Sequence, residues 1–234
     1  MRISIIIPAY NEERYIGRTL DSIKQLDTNG WQVEIIVVNG SSTDKTVEIA
    51  QSYGVEVINE PHKGIGFARQ QGLKHAKGEI VVFTDADTLV PKDLLIKHVA
   101  ALTQPGVILS FGGYRYYDGS FPVYQCFNYV QPIIVFLAYK LFGIPAVSGQ
   151  NMAFWKNRAL AIGGFDENIL VMEDTDLAIR LKKVGKVVYL PNVLIYSSGR
   201  RSQEGWAYFS RIMRYLIDYF LLRNRKLERF PDFR

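Results

Sequence analysis

The sequence has little cysteine and little histidine. Of its 234 residues, one is cysteine (Cys126) and three are histidine (His62, His75 and His98). One cysteine excludes an internal disulfide framework and any all-cysteine zinc site. It also fits a reducing, cytoplasmic setting. No Walker lysine motif is present. The GxG at Gly64-Ile65-Gly66 lacks the third glycine of a dinucleotide fingerprint and follows the third strand-like run instead of the first. No Ser-His-Asp pattern offers a covalent nucleophile. Internal repeats, low-complexity tracts and clear linkers are missing too. The opening stretch MRISIIIPAY is too short for a signal peptide and runs straight into Pro8.

Charge is absent from Gly119 to Tyr139, 21 residues dense in aromatics. A membrane-spanning helix needs about 20 predominantly apolar residues. Gln125, Asn128, Gln131 and Pro132 interrupt this run, which argues against spanning. A buried core helix and an interfacial helix both remain open. The net charge of +5 is also uneven: nine of the 28 basic residues and four of the 23 acidic ones follow Gly199, so the first 199 residues are neutral. A basic end on a neutral body suits an anionic partner such as a membrane surface, and it equally suits a solvated helix face. The stretch from Trp206 to Leu222 sets Tyr208, Phe209, Tyr215, Tyr219 and Phe220 beside Arg211 and Arg214. That mixture fits a bilayer interface or a helix docked on the core. No nucleic-acid-binding motif accompanies it, and no nucleic-acid partner is expected.

What is present is a regular alternation. Ile3–Ile7, Val33–Val38, Val55–Ile58 and Glu79–Phe83 read as strands, and the β-branched runs suit strands buried on both faces. Between them, Glu12–Gln25, Asp44–Tyr53 and Gly66–His75 read as helices, and Pro91 opens a fourth. The pattern predicts an α/β fold, a doubly wound and mostly parallel sheet with helices on both faces. It carries an apolar insertion after Val107–Phe111 and a C-terminal helix over about 203–222.

In such sheets ligands bind beyond the carboxyl ends of the strands. The fourth strand ends at Asp85-Ala86-Asp87, two carboxylates able to share one hard cation with diphosphate oxygens. Asp87 could instead cap the helix near Pro91, and the two readings stand level. Lys63 and Arg69 flank a helix start and could face phosphate. Glu173-Asp174-Thr175-Asp176 precedes a helical pattern. It is either dipole-complementing acid or a general base folded across a cleft.

Five ordered blocks resemble glycosyltransferase family 2, enzymes of the GT-A fold. They are Ile3–Glu13, Val38–Thr46, Gly64–Asp87, Gly149–Phe165 and Glu173–Leu177. The resemblance implies a GT-A domain over 1–202, with a nucleotide-sugar half (1–112) and an acceptor half (113–202), followed by a tail over 203–234. It implies that Pro8, Tyr10 and Glu12 line the base and ribose pocket, that Asp85 lies near the ribose, and that Asp87, with Asp85, holds magnesium or manganese on the diphosphate of a UDP- or GDP-sugar. Gly149, Gln150 and Asn151 would line the sugar and acceptor side. Asp174 would be the base, steadied by Glu173, in an inverting single displacement.

The chain departs from that pattern twice. Asn39-Gly40 stands where relatives usually carry Asp-Asp or Asp-Gly, which bears on the base. Arg200 and Arg201 stand in the region where many relatives offer a histidine ligand, and they are able to neutralise charge on the sugar and acceptor side. The insertion and tail together lean towards a lipid-linked acceptor and a peripheral place on the inner face of a membrane. Two alternatives compete: a nucleotidyltransferase, although Pro8–Glu13 has no glycine-rich phosphate loop, and a non-catalytic nucleotide-sugar-binding module. Release of free nucleoside diphosphate separates all three.

Overall fold

The computed structural model describes residues 1–220. The chain begins with β1 (Arg2–Ala9), α1 (Ile16–Lys24), β2 (Gln32–Asn39), α2 (Thr46–Ser52), β3 (Glu56–Asn59), α3 (Ile65–His75) and β4 (Ile80–Phe83). It continues through β5 (Thr88–Leu89), α4 (Leu94–Leu102), β6 (Val107–Tyr116), α5 (Val123–Phe142), β7 (Met152–Trp155) and α6 (Lys156–Ala161). Then come α7 (Glu173–Lys182), β8 (Lys186–Ser197), a 3₁₀ turn (Arg200–Glu204) and α8 (Trp206–Phe220).

Among the described residues the strands form one eight-stranded sheet in the order β3-β2-β1-β4-β7-β6-β8-β5. Strand β1 is an interior strand, parallel to its neighbours β2 and β4. Its consecutive isoleucines feed two cores, because alternate strand residues face opposite ways. Ile3, Ile5 and Ile7 pack with Ile16 and Leu20 of α1 and with Leu95 and Val99 of α4. Ile6 packs on the other side with Leu73 of α3, Phe83, Phe154 and Leu177 of α7. Helices therefore cover both faces, as the alternation predicts.

Four local differences matter. Helix α1 starts at Ile16, not Glu12, because the Glu12 carbonyl accepts the N–H groups of Tyr15 and Ile16 (both 2.9 Å) and keeps Glu12 in a turn at the strand end. Helix α4 starts at Leu94; the Pro91 carbonyl accepts its N–H at 3.0 Å, so Pro91 begins the entry turn instead of the helix. Strand β6 runs on to Tyr116, past the Phe111 at which the sequence pattern breaks, with a register shift between Gly112 and Gly113. Strand β7 enters antiparallel between β4 and β6.

The uncharged insertion becomes the 20-residue helix α5. Phe127 and Val135 are buried, while Tyr129, Ile133, Phe136 and Leu141 recur on an exposed face. Among the described residues no helix is long and apolar enough to cross a membrane. Helix α8 docks on the body: Tyr208, Tyr215 and Tyr219 are buried, and the Tyr208 and Tyr116 hydroxyls meet at 2.9 Å. Tyr219 donates to Asp176 at 3.0 Å, and Arg211 forks onto Glu204 at 2.8 and 2.9 Å. The docked-helix reading thus accounts for Tyr208, Tyr215 and Tyr219. The basic residues Arg223, Arg225, Lys226, Arg229 and Arg234 lie outside the described residues.

Candidate active site

The parallel strands β1 and β4 deliver their carboxyl ends to one edge of the sheet, and a cavity of about 850 Å³ opens there. From β1 and the turn after it come Pro8, Tyr10 and Glu12, from the loop before α3 comes Lys63, and from α3 itself Arg69. The turn after β4 brings Asp85 and Asp87, the loop before β7 brings Gly149 and Gln150, and α7 brings Glu173 and Asp174. Arg200 and Arg201 close the rim beyond β8. Residues from both ends of the described chain thus line one space.

Asp87 does not cap α4, whose N-cap position is Asp93. Its side chain turns into the cavity, accepting from the Ser197 hydroxyl at 3.2 Å and pairing with Arg200 Nη2 at 3.1 Å. The Asp85–Asp87 turn is pinned from beneath: the Thr19 hydroxyl donates to the Ala86 carbonyl at 2.7 Å and accepts from the Thr88 N–H at 3.1 Å. Burial pushes the Asp87 carboxyl up to about 6, against the pull of Arg200.

Arg69 ties the two walls together. Its guanidinium, 3% exposed, reaches Asp85 at 3.1 Å, Glu173, and Asp174 at 3.6 Å. Burial alone would disfavour the charged guanidinium, but the three carboxylates hold it charged above its ordinary range. Burial pushes Glu173 up to about 7, opposed by Arg69 and assisted by Asp174. Asp174 is raised by the same burial, with Arg69 and the N–H groups of Thr175 and Gly149 pulling the other way. Asp174 accepts from Gly149 N–H at 2.6 Å and from Thr175 N–H at 2.6 Å. A Cβ at residue 149 would overlap the Arg69 guanidinium, so this close approach requires glycine.

The acids at the start of α7 divide their roles. Asp176 faces away, bound to Arg180 at 2.6 Å and to Tyr219. Glu173 is locked on Arg69, and Asp174 has the more exposed side chain of the two, 15% against 3%. Arg200, grouped by sequence with the acceptor side, lies against Glu12 and Asp87. It forks onto Glu12 at 2.8 and 2.6 Å, with the Tyr15 ring 4.9 Å away.

Two predicted residues are not among those lining the cavity. Asn39 donates to Asn59 and accepts from the Ser42 N–H, both at 2.9 Å, so it organises the turn after β2. Asn151, 1% exposed, donates to the Gly113 and Val193 carbonyls at 2.7 and 3.0 Å and meets His98 Nε2 at 3.0 Å. It is a buried tie between strands.

Sequence reasoning missed Ser197, Tyr15 and Asp118. Asp118 accepts from Gly199 N–H at 2.6 Å and from the Ser198 hydroxyl at 3.0 Å, fixing the turn that presents Arg200. A lone acid 80 residues from its partners gives no signal in the sequence. The apolar lining of the cavity was missed as well: Phe127 and Ile134 of α5 contribute to it, as do Tyr208 and Ile212 of α8.

Asp85 and Asp87 offer hard carboxylate oxygens, which suit magnesium or manganese when diphosphate oxygens complete the shell. Among the described residues no third Asp, Glu, His or Cys converges with them. The donor set fits a metal held jointly with substrate, not a site closed by protein alone.

A family model described as Glycosyl transferase family 2 matches residues 4–157. The probable glycosyltransferase YdaM of Bacillus subtilis is 27% identical over 250 aligned positions, covering 97% of this chain and 59% of that protein. Against the curated relatives it matches, the chain spans between 18% and 59% of their length. Among solved structures, the mannosyltransferase PcManGT of Pyrobaculum calidifontis, in complex with GDP-Man and Mn²⁺, has a TM-score of 0.72 at 24% identity. That likeness covers 98% of this chain and 66% of the other. Glucosyl-3-phosphoglycerate synthase of Mycobacterium tuberculosis, with Mn²⁺, UDP and phosphoglyceric acid, has a TM-score of 0.65 at 24% identity, covering 92% and 77%. Both likenesses establish the fold.

Proposed function

The chain belongs to glycosyltransferase family 2, and from that premise we propose that it moves a sugar, with inversion, from a UDP- or GDP-sugar to an acceptor hydroxyl or phosphate. The observation that carries this reading is that Asp85, Asp87, Glu173 and Asp174 line one cavity, with Arg69 joining Asp85 to Glu173 and Asp174. Both structural relatives described above were solved with manganese and a UDP or GDP species. They favour a donor of that class.

In this reading Asp174 takes the acceptor proton, held in place by the Gly149 N–H. Glu173 keeps Arg69 charged, and Arg69 in turn keeps a share of Asp174 ionised. A divalent metal at Asp87 and Asp85, when bound, would neutralise charge developing on the leaving diphosphate. The test is release of free nucleoside diphosphate, together with calorimetric nucleotide binding with and without manganese. Asp87→Ala should abolish the manganese-dependent gain while leaving metal-free binding close to wild type. If the variant retains the full gain, the metal assignment fails.

The acceptor carries an apolar chain in this proposal, and the chain works on the cytoplasmic face of a membrane. Support comes from the apolar side chains of α5 and α8, such as Phe127, Ile134, Tyr208 and Ile212, that line the same cavity as Asp85, Asp87 and Asp174, and from the exposed apolar face of α5. Ile133→Asp with Phe136→Asp should cut flotation with anionic liposomes several-fold and spare nucleotide binding. Each buried CH₂ is worth about 0.8 kcal/mol, so losing two large side chains is easily resolved. Unchanged flotation would remove the membrane from this proposal.

A further inference from the structure

Arg200 occupies an unusual place for a residue beyond the last long strand. Its guanidinium spans one end of the cavity, forked onto Glu12 from the turn after β1 and touching Asp87 from the β4 turn. It is not a loose surface arginine. The side chain is 12% exposed and lies 4.9 Å from the centre of the Tyr15 ring. The turn beneath it is tied by Asp118 to Ser198 and Gly199, and a Cβ at residue 199 would run into the Asp118 carbonyl. Backbone and side chain are both held, so the charge stays at one position.

That position bears on how the cavity handles an anion. Asp87 Oδ2 already has a cation at 3.1 Å. A metal ion cannot share that oxygen with the guanidinium without direct repulsion in a poorly solvated site. Meanwhile Glu12 takes one N–H from each of Nη1 and Nη2, and Asp87 lies at ion-pair distance from Nη2, so the five-donor guanidinium has more N–H groups than these two hydrogen bonds use. Arginine matches phosphate geometry and does not lose its proton.

We propose that Arg200 is a built-in diphosphate-binding cation, so that the chain binds nucleoside diphosphates without metal and a metal adds to that affinity instead of creating it. This rests on the reading of the cavity as a nucleotide-diphosphate-sugar site. It goes further in assigning the donor phosphates to a protein residue and in making metal and Arg200 rivals for Asp87.

The experiment titrates UDP and GDP into the full chain by calorimetry, in EDTA and in manganese, and follows Mn²⁺ binding alone by electron paramagnetic resonance. Wild type should bind one nucleotide in EDTA. Arg200→Gln should lose about tenfold or more of that metal-free affinity, the scale of a hydrogen bond to a charged group. It should also bind Mn²⁺ more tightly than wild type, because Asp87 is released. Arg200→Lys keeps the charge but not the fork, so it should recover part of the metal-free affinity; a purely structural tie to Glu12 would be lost equally in both variants. If Arg200→Gln melts at the assay temperature, the lysine variant carries the comparison, and metal-free affinity at the noise level in it counts against the proposal. Nucleotide binding by wild type only in manganese, or an unchanged metal-free affinity in Arg200→Gln, overturns it. Failure of wild type to bind either nucleotide under both conditions would instead bring down the donor assignment, and this inference with it.

Discussion

Asp174→Asn is expected to bind donor nearly as well as wild type and to transfer sugar at least about a hundredfold more slowly, the usual scale of general-base catalysis. The substitution preserves shape, and an amide oxygen can still accept the Gly149 N–H, so the fold around the base should survive. What disappears is the ability to take a proton. Of the three acids at the start of α7, Asp174 is the one placed to accept it, since Glu173 is bound to Arg69 and Asp176 is engaged by Arg180 and Tyr219. The pH profile is a second readout. A base acts only when deprotonated, and burial raises Asp174 above its ordinary range. Transfer should therefore fall as pH drops through that raised value, with the acid limb starting nearer neutrality than for an exposed aspartate. In the variant that limb should vanish along with most of the rate. Near-wild-type transfer by Asp174→Asn would remove the residue from the chemistry.

The parts of this arrangement that sequence revealed share one property: their signal is local. The isoleucine run of β1 is buried wherever it pairs, so it reads as a strand without knowledge of its neighbours. Asp85-Ala86-Asp87 sits at a strand end whatever follows. The illegible parts depend on distant partners. Asn39 and Asn151 resemble ligand-binding residues, yet each is consumed by backbone and side-chain ties that only the folded chain creates. Gly112-Gly113 looks like the end of a strand because glycine weakens strands in general; here it marks a register shift in β6, which continues to Tyr116. Strand β7 has four residues, too few to display a period, and its antiparallel insertion is a tertiary fact. Arg200 could be read as a charge, but not as the partner of Glu12, 188 residues earlier.

Arg69→Met should give the largest loss of stability among single substitutions in the cavity. Methionine can follow the path of the arginine stem, so little packing is lost. The charge is another matter. Asp85, Glu173 and Asp174 would face one another without a cation, and breaking a buried ion pair by removing one partner costs about 3–5 kcal/mol. Glu173 is 3% exposed, so its charge would be left poorly solvated. The sign of the pH dependence follows from the same groups. Burial already lifts Glu173 to about 7 with Arg69 pulling down, so removing Arg69 lifts Glu173 and Asp174 further. An acid whose folded-state value lies above its unfolded value loses stability as pH rises from the unfolded value to the folded one. The deficit against wild type should therefore be smallest at the acid end, below the raised folded-state values of Glu173 and Asp174, and should grow as pH rises through about 7. Thermal melts of both proteins at about pH 4.5, 6 and 7.5 measure it. Adding Glu173→Gln to Arg69→Met should restore part of the loss at the highest of these, about pH 7.5, since it removes one of the stranded charges, and this non-additivity marks the two side chains as one unit. A variant that melts with wild type under that condition but has lost nucleotide affinity would mean that Arg69 serves the donor phosphate first and the carboxylates second.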